Sequence, residues 1–367
     1  MPSASVAAQE NLLPALDLKA LARRFALPAA VAAAAVTVIA LGGGPLQAFA
    51  DAIGRALDAD PRWVGLAAVF ELLSFVGYIA LLWLVGGRAS ERLGLRATTE
   101  VTLGGAAATR LLPTGGAGGA AVTFWAFRRA GLGARGATHT LLTFLVVLYS
   151  VFLGSIAAAG GLLALGIVPG GGPLLLSAVP AAAAALAIGA ALVLAARKPA
   201  SERPVAAAPQ GGSRSARGRA AMRNAPDALG AAVRDALTLV RSGDVRLLGA
   251  VAWWAFDAAV LWAMLNALGA PPSLAVVVLA YFLGQVANTL PLPGVVSGGM
   301  VGVLLAFGVE ADLALAAVFS YRAVAIWLPA PIGLAALGGL RRTIAGWGER
   351  PVGRPAFPLP TPAPAAA

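Results

Sequence analysis

The chain has 367 residues, of which 59% are hydrophobic and only 12% are charged, and its mean hydropathy is +0.83. Soluble globular domains carry about 25% charged residues, so this composition excludes a water-soluble protein and predicts an all-α polytopic membrane protein. The sequence has no cysteine, which excludes disulfides and thiolate chemistry. It has a single histidine, His139, which leaves almost no material for a histidine-based metal site or a Ser-His-Asp triad.

Apolar stretches long enough to cross a bilayer recur along the chain. After a cytoplasmic N-terminal segment, residues 1–24, we predict a first membrane half over 25–196 and a second over 245–342. Residues 197–244 between them form a cytoplasmic basic linker and a surface helix, and a Pro-rich tail, 343–367, carries no folding signal. The six predicted full spans cover about 25–50, 63–85, 137–168, 173–196, 247–268 and 313–340.

Two further apolar segments, 101–127 and 273–307, are interrupted by proline and glycine at matched places. Arg110 and Asn288 each stand three residues before the first proline of their segment. In lipid, such a break leaves backbone groups without partners unless protein or trapped water covers it, and a matched pair in two halves is typical of a transport site between inverted repeats. The interrupting residues are Pro113, Gly115, Gly116, Gly118 and Gly119 in the first segment and Pro291, Pro293, Gly294, Gly298 and Gly299 in the second.

The distribution of basic residues predicts how these segments enter the membrane. Most of the 27 Lys and Arg residues lie on the cytoplasmic side if the first broken segment enters and leaves from the cytoplasm and the second from the outside. We therefore predict two re-entrant broken helical hairpins in inverted repeats, with both termini cytoplasmic. The basic residues lie between spans, so the net charge of +11 does not indicate a nucleic-acid partner.

Four ionisable residues fall at membrane depth: Glu71, Arg110, Asp257 and Arg322. A charge at the bilayer centre costs roughly 2.5–3.5 kcal/mol on insertion scales, so such groups face the interior of the bundle. One interpretation is two structural ion pairs. The other is that both arginines line a cavity and neutralise an anionic headgroup, with the carboxylates holding them or carrying protons.

The broken segments supply further binding candidates. Glycines after each proline can expose backbone N–H groups at the start of a half-helix, where an anion is favoured. Gln285 and Asn288, on the second segment, either line the same cavity or form hydrogen bonds between helices. No metal or cofactor is expected from these residues.

At these motifs the chain resembles the flippase-like family, the transmembrane region of lysylphosphatidylglycerol synthase, also called multiple peptide resistance factor. The matching text is Arg110 to Gly119 followed by Phe124-Trp125-Ala126-Phe127-Arg128-Arg129, then Gln285 to Gly294, Gly298-Gly299, and Tyr321-Arg322 near Trp327-Leu328-Pro329. The resemblance implies a multi-pass plasma-membrane protein that moves a lipid between leaflets. Full-length synthases continue into a cytoplasmic aminoacyl-transferase domain, which this sequence lacks, so translocation without lipid lysylation is expected.

We therefore expect a flippase-like protein that is not an enzyme, whose partners are membrane lipids with an anionic or zwitterionic phospholipid headgroup. Self-association as a homo-oligomer is also open. Two alternatives remain at this point. One is a membrane-embedded enzyme acting on a lipid phosphate or a polyprenyl-phosphate-linked sugar, and the other is a scaffold that recruits partners through the basic linker.

Overall fold

The computed structural model describes residues 54, 56–111, 117–197, 214–269, 271–287 and 294–347. This part of the chain is built of α-helices and contains no β-strand. The helices are α1 (Pro61–Ala89), α2 (Leu95–Leu111), α3 (Ala117–Arg129), α4 (Ala134–Ala164), α5 (Leu174–Ala196), α6 (Arg214–Arg241), α7 (Leu248–Leu268), α8 (Leu274–Val286), α9 (Val295–Ala306), α10 (Ala311–Trp327) and α11 (Pro329–Trp347), with a short 3-10 turn at Val245–Leu247 before α7.

Five segments are long and apolar enough to cross a membrane: α1, α4, α5, the 3-10 turn with α7, and α10 with α11. They correspond to five of the six predicted spans, and the all-α polytopic class is confirmed. The first predicted span, 25–50, lies outside the described residues, as does the tail from 348 onward.

Two of the predicted boundaries differ from the structure. The last span is interrupted after Leu328, because Pro329 and Pro331 supply no backbone N–H to the helix, and α10 therefore ends where α11 begins. The surface helix begins at Arg214 rather than at Pro226, so part of the predicted linker is helical. Linker residues 198–213 lie outside the described part.

Both broken segments fold back as helical hairpins. Their four helices, α2, α3, α8 and α9, have 17, 13, 13 and 12 residues, which is too short to cross a hydrocarbon core of about 30 Å at 1.5 Å per residue. Glycines allow the two arms of each hairpin to touch. A Cβ on Gly105 would lie 3.4 Å from the Cα of Gly119, and one on Gly299 would lie 3.1 Å from the Cα of Gly284.

The same glycine contact thus occurs in both hairpins. Gly105 corresponds to Gly284, 179 residues later, and Gly119 corresponds to Gly299, 180 residues later. The residues that join the arms, 112–116 and 288–293, are outside the described part.

The helices that precede the hairpins, α1 and α7, cross each other at the centre of the molecule. Trp63 lies against Trp262, and Phe70 stacks on Phe256 with ring centroids 5.8 Å apart. The closest approach is at Gly77 and Gly249, where a Cβ on Gly77 would lie 2.7 Å from the carbonyl oxygen of Gly249. Residue numbers rise along α1 as they fall along α7, so the two helices are antiparallel.

The helices that follow the hairpins exchange partners between the halves. Helix α4, which follows the first hairpin, packs on α8 of the second. Helix α11, at the end of the second half, packs on α2 of the first, with Gly333 against Leu103 and Ala107. This reciprocal packing around an antiparallel pair is the arrangement expected of inverted repeats.

Helices α5 and α6 lie at one side of this core. Most large apolar side chains of α5, among them Leu175, Leu186 and Val193, are exposed, as expected of a surface that faces lipid. Helix α6 packs on α4 and α5 and is held by polar contacts at its middle. Arg234 donates to the Ala195 carbonyl at the end of α5 (3.2 Å), and Asp235 lies 2.6 Å from His139 of α4.

Candidate functional site

A cavity of about 290 Å³ lies inside the membrane body, between the two halves. Its walls come from α1, α2, α3 and α4 of the first half and from α7, α8 and α10 of the second. Each hairpin therefore contributes to it, as the matched breaks predict. The polar and aromatic side chains that line the cavity are Phe75, Tyr78, Thr102, Thr109, Thr123, Tyr149, Trp253, Trp254, Asp257, Gln285, Tyr321 and Arg322.

Among the described residues, Asp257 is the carboxylate that lines this cavity, and two tyrosine hydroxyls form hydrogen bonds to it. The residue is 2% exposed. Tyr281 of α8 donates its hydroxyl proton to Asp257 Oδ2 (2.5 Å), and Tyr321 of α10 donates to Asp257 Oδ1 (3.3 Å). Gln285 Nε2 in turn donates to the Tyr321 hydroxyl (3.4 Å). This buried carboxylate thus accepts hydrogen bonds from two other helices, and no guanidinium of the described side chains bonds it.

Arg322 follows Tyr321 on α10 and also lines the cavity, where it is half-buried. No ion pair within 4.0 Å joins its guanidinium to a carboxylate of the described residues. Its guanidinium carries five N–H donors and has no charged protein partner in that part of the chain. Asp257 and Arg322 thus share one cavity but form no salt bridge with each other.

Glu71 has a different position. It is fully buried on α1, and its carbonyl oxygen accepts a hydrogen bond from the Ser74 hydroxyl (2.7 Å). It does not belong to the cavity lining, to which Asp257 and Arg322 do belong.

The described glycines of the first hairpin lie where its two arms meet. Gly119 lines the cavity, and its backbone N–H donates to Thr109 Oγ1 (2.7 Å). That N–H group is therefore used within the hairpin. Gly118, its neighbour, is half-buried at the start of α3.

The described glycines of the second hairpin shape the start of α9. Gly294 caps the helix with φ of +79°, a left-handed conformation that only glycine adopts without strain. Gly298 is exposed, and a Cβ there would meet nothing within 4 Å, whereas Gly299 packs against Gly284. None of the three lines the cavity.

Several predicted site residues lie outside the described part. They are Pro113, Gly115, Gly116, Asn288, Pro291 and Pro293, together with the side chain of Arg110. Their role in binding stays a prediction.

The sequence analysis did not assign the aromatic wall of the cavity. Tyr78 packs edge to face on Trp253 (4.7 Å between centroids), and Trp254 Nε1 donates to the Leu148 carbonyl of α4 (2.8 Å). One sequence signal was available. The chain has only four tyrosines, and three of them line the cavity while Tyr281 holds its carboxylate from behind.

The fold and the cavity define a class: an all-α, multi-pass membrane protein whose two inverted halves enclose a polar site between paired helical hairpins. The sequence profile described as the lysylphosphatidylglycerol synthase TM region matches residues 25–333. The chain belongs to this family, which identifies it as a membrane protein involved in lipid handling. No curated protein matches the chain.

Proposed function

We propose that this protein moves a phospholipid between the leaflets of the plasma membrane, with the headgroup passing through the central cavity. The observation that carries the proposal is Arg322, a cavity-lining guanidinium without an ion-pair partner among the described residues. A guanidinium at membrane depth is costly unless something neutralises it, and its planar donor fork matches two phosphate oxygens. A lipid phosphate supplies that charge.

The size of the cavity fits a headgroup rather than a whole lipid. Small-molecule pockets have volumes of about 300–1,000 Å³, and this cavity lies at the lower end of that range. The acyl chains would therefore stay in the surrounding lipid while the headgroup crosses. Thr102, Thr109 and Thr123 add neutral hydroxyls to the wall on the hairpin side.

The charges of the cavity favour a zwitterionic lipid over a purely anionic one. Asp257 faces the same cavity as Arg322, so the two formal charges sum to zero. A phosphate beside Arg322 and an amine beside Asp257 would each find an opposite charge. Tyr78 and Trp253 line the same cavity, and aromatic rings also attract a cation.

The sequence contains no ATP-binding motif, so we infer that movement is passive or coupled to an ion, with Glu71 and Asp257 as the proton carriers in the coupled case. The distribution of basic residues supports a cytoplasmic position for both termini.

The proposal is tested by leaflet exchange in proteoliposomes that contain the purified full-length protein and a fluorescent phosphatidylethanolamine. Exchange is followed as loss of fluorescence to a membrane-impermeant quencher. Arg322→Ala should slow exchange about tenfold or more, because a hydrogen-bonded charge pair contributes about 1.5–3 kcal/mol. Arg341→Ala, at an exposed site on α11, is the matched control and should exchange at the wild-type rate.

Two outcomes would contradict the proposal: wild-type exchange no faster than in empty vesicles, and full activity of Arg322→Ala. Mass spectrometry of the recovered lipid adds a third test, because a chemically altered headgroup would indicate a membrane-embedded enzyme instead.

A further inference from the structure

Tyr281 stands out because it is completely buried and does not line the cavity, yet it makes the shorter hydrogen bond to the cavity's carboxylate. It belongs to α8, an arm of the second hairpin, whereas Asp257 belongs to α7. Its ring packs edge to face on Phe282 and Tyr321 and lies 6.3 Å from Trp254. The hydroxyl is therefore fixed in place by packing on all sides of its ring.

The direction of each hydrogen bond determines which kind of headgroup atom can bind Asp257. Gln285 donates to the Tyr321 hydroxyl, so the Tyr321 proton is directed to Asp257 Oδ1. The Tyr281 proton is directed to Oδ2. Both carboxylate oxygens accept a hydrogen bond, and a carboxylate oxygen has lone pairs for more than one donor. Asp257 also lines the cavity, so a donor in the cavity can reach it.

The elements packed on α7 are α1, α4, α8, α10 and the 3-10 turn before it. Their titratable groups that line the cavity or hydrogen-bond Asp257 are Tyr78 of α1, Tyr149 of α4, Tyr281 of α8, and Tyr321 and Arg322 of α10, whereas Glu71 of α1 and Arg246 of the turn do not line it. Arg322 is the only cation in this set, and it makes no hydrogen bond or ion pair with Asp257 within the described residues. The two phenol groups therefore set the orientation of Asp257.

We propose that Tyr281 is a positioning residue for headgroup selection: its hydroxyl holds Asp257 so that the free acceptor positions of the carboxylate face an amine in the cavity. This inference rests on the proposed function and adds to it. It assigns the preference for an amine-bearing headgroup to a contact between the second hairpin and α7. Tyr281 itself touches no lipid.

The test is the ratio of exchange rates for two fluorescent lipids, phosphatidylethanolamine and phosphatidylglycerol, which share the phosphate and differ in the amine. Tyr281→Phe keeps the ring and removes the hydroxyl. We expect it to lower the ethanolamine-to-glycerol ratio about three- to tenfold, the size expected for one ordinary hydrogen bond, because the hydroxyl acts on the amine only through Asp257. Ser150→Ala is the control, since it also removes a hydroxyl but from an exposed face of α4.

A purely structural hydroxyl would slow both lipids equally and leave the ratio unchanged, and that result would overturn the inference. A double variant adds a second criterion. In an Asp257→Asn background the ratio should not change further when Tyr281→Phe is added, because the hydroxyl acts through the carboxylate. A further drop of similar size would contradict the inference.

Measuring which lipids stay bound to the purified protein distinguishes failure of this inference from failure of the proposed function. If wild-type vesicles exchange neither lipid, translocation is refuted, and native mass spectrometry of the two lipids bound to purified protein still decides the role of Tyr281. Loss of the ethanolamine preference in Tyr281→Phe supports that role, and an unchanged preference refutes it. If Tyr281→Phe does not fold, Tyr321→Phe removes the other hydroxyl and is judged by the same ratio.

Discussion

The crossing of α1 and α7 permits a sharp prediction about stability. At Gly77 an added methyl group would lie 2.7 Å from both the Gly249 carbonyl oxygen and the Ala252 Cβ, and 2.9 Å from the Trp253 nitrogen. Two of these atoms are backbone, and the third is a methyl group with no rotamer to change. The helices would have to separate by roughly half an ångström or more, since real Cβ atoms do not approach other heavy atoms within 3.0 Å.

The change in the free energy of unfolding caused by Gly77→Ala is the difference between a gain in helix propensity and a cost of overpacking. Replacing glycine by alanine inside a helix is favourable by about 0.5–1 kcal/mol. Overpacking a tight interface costs about 1–3 kcal/mol, and in a membrane the close contact of small residues is itself a source of helix association. We therefore expect Gly77→Ala to destabilise the protein by roughly 1–2 kcal/mol net.

Gly65→Ala is the matched control for this prediction. Gly65 lies on the same helix, is exposed, and has nothing within 4 Å of an added Cβ. That variant should be as stable as the wild type or slightly more so. Both are measured as the temperature at which detergent-purified protein leaves its monodisperse chromatographic peak after heating. A transition temperature for Gly77→Ala equal to that of Gly65→Ala would refute the reasoning about the crossing.

Three further predictions concern other contacts. Gly284→Ala should lower thermal stability, because its Cβ would lie 3.0 Å from the Val296 carbonyl oxygen within the second hairpin, whereas Gly302→Ala, which meets open space, should not. The Arg246 guanidinium hydrogen-bonds Asp244 and lowers the pKa of that carboxyl. A lowered folded-state pKa stabilises above the unfolded value of about 3.9, so the difference in transition temperature between wild type and Asp244→Asn should be present at pH 7 and shrink as the pH falls through 4. Trp254→Phe should destabilise by about 1 kcal/mol, because it removes the donor to the Leu148 carbonyl, whereas Trp327→Phe, at a side chain 73% exposed, should be neutral in the same thermal assay.

The hairpins were predictable from the sequence because proline and glycine act locally. A break such as the one at Pro113 removes hydrogen bonds from its own helix, whatever surrounds it, so its effect appears in a single sequence. The same argument applied to Pro329 and Pro331 would have divided the last span, where hydropathy alone favoured one helix. The glycine contacts Gly105–Gly119 and Gly284–Gly299 were not predicted, since they depend on which faces of two helices meet.

The hydrogen-bond partners of Asp257 were harder to predict, because they also depend on which helix faces meet. Asp257 stood out as a charge at membrane depth, and a charge suggests an opposite charge. The structure gives it phenol groups from Tyr281 and Tyr321, 24 and 64 residues further along the chain. A tyrosine in an apolar helix is indistinguishable by sequence from ordinary aromatic packing, because only the fold decides whether its hydroxyl meets an acceptor.

The contact between Gly77 and Gly249 is one point of a long seam between α1 and α7, which also joins Trp63 to Trp262 and Phe70 to Phe256. Two rods joined over several turns resist turning as well as separation, so the antiparallel pair forms one stiff beam. Any change in the shape of the cavity beside it must then come from the helices packed around this beam.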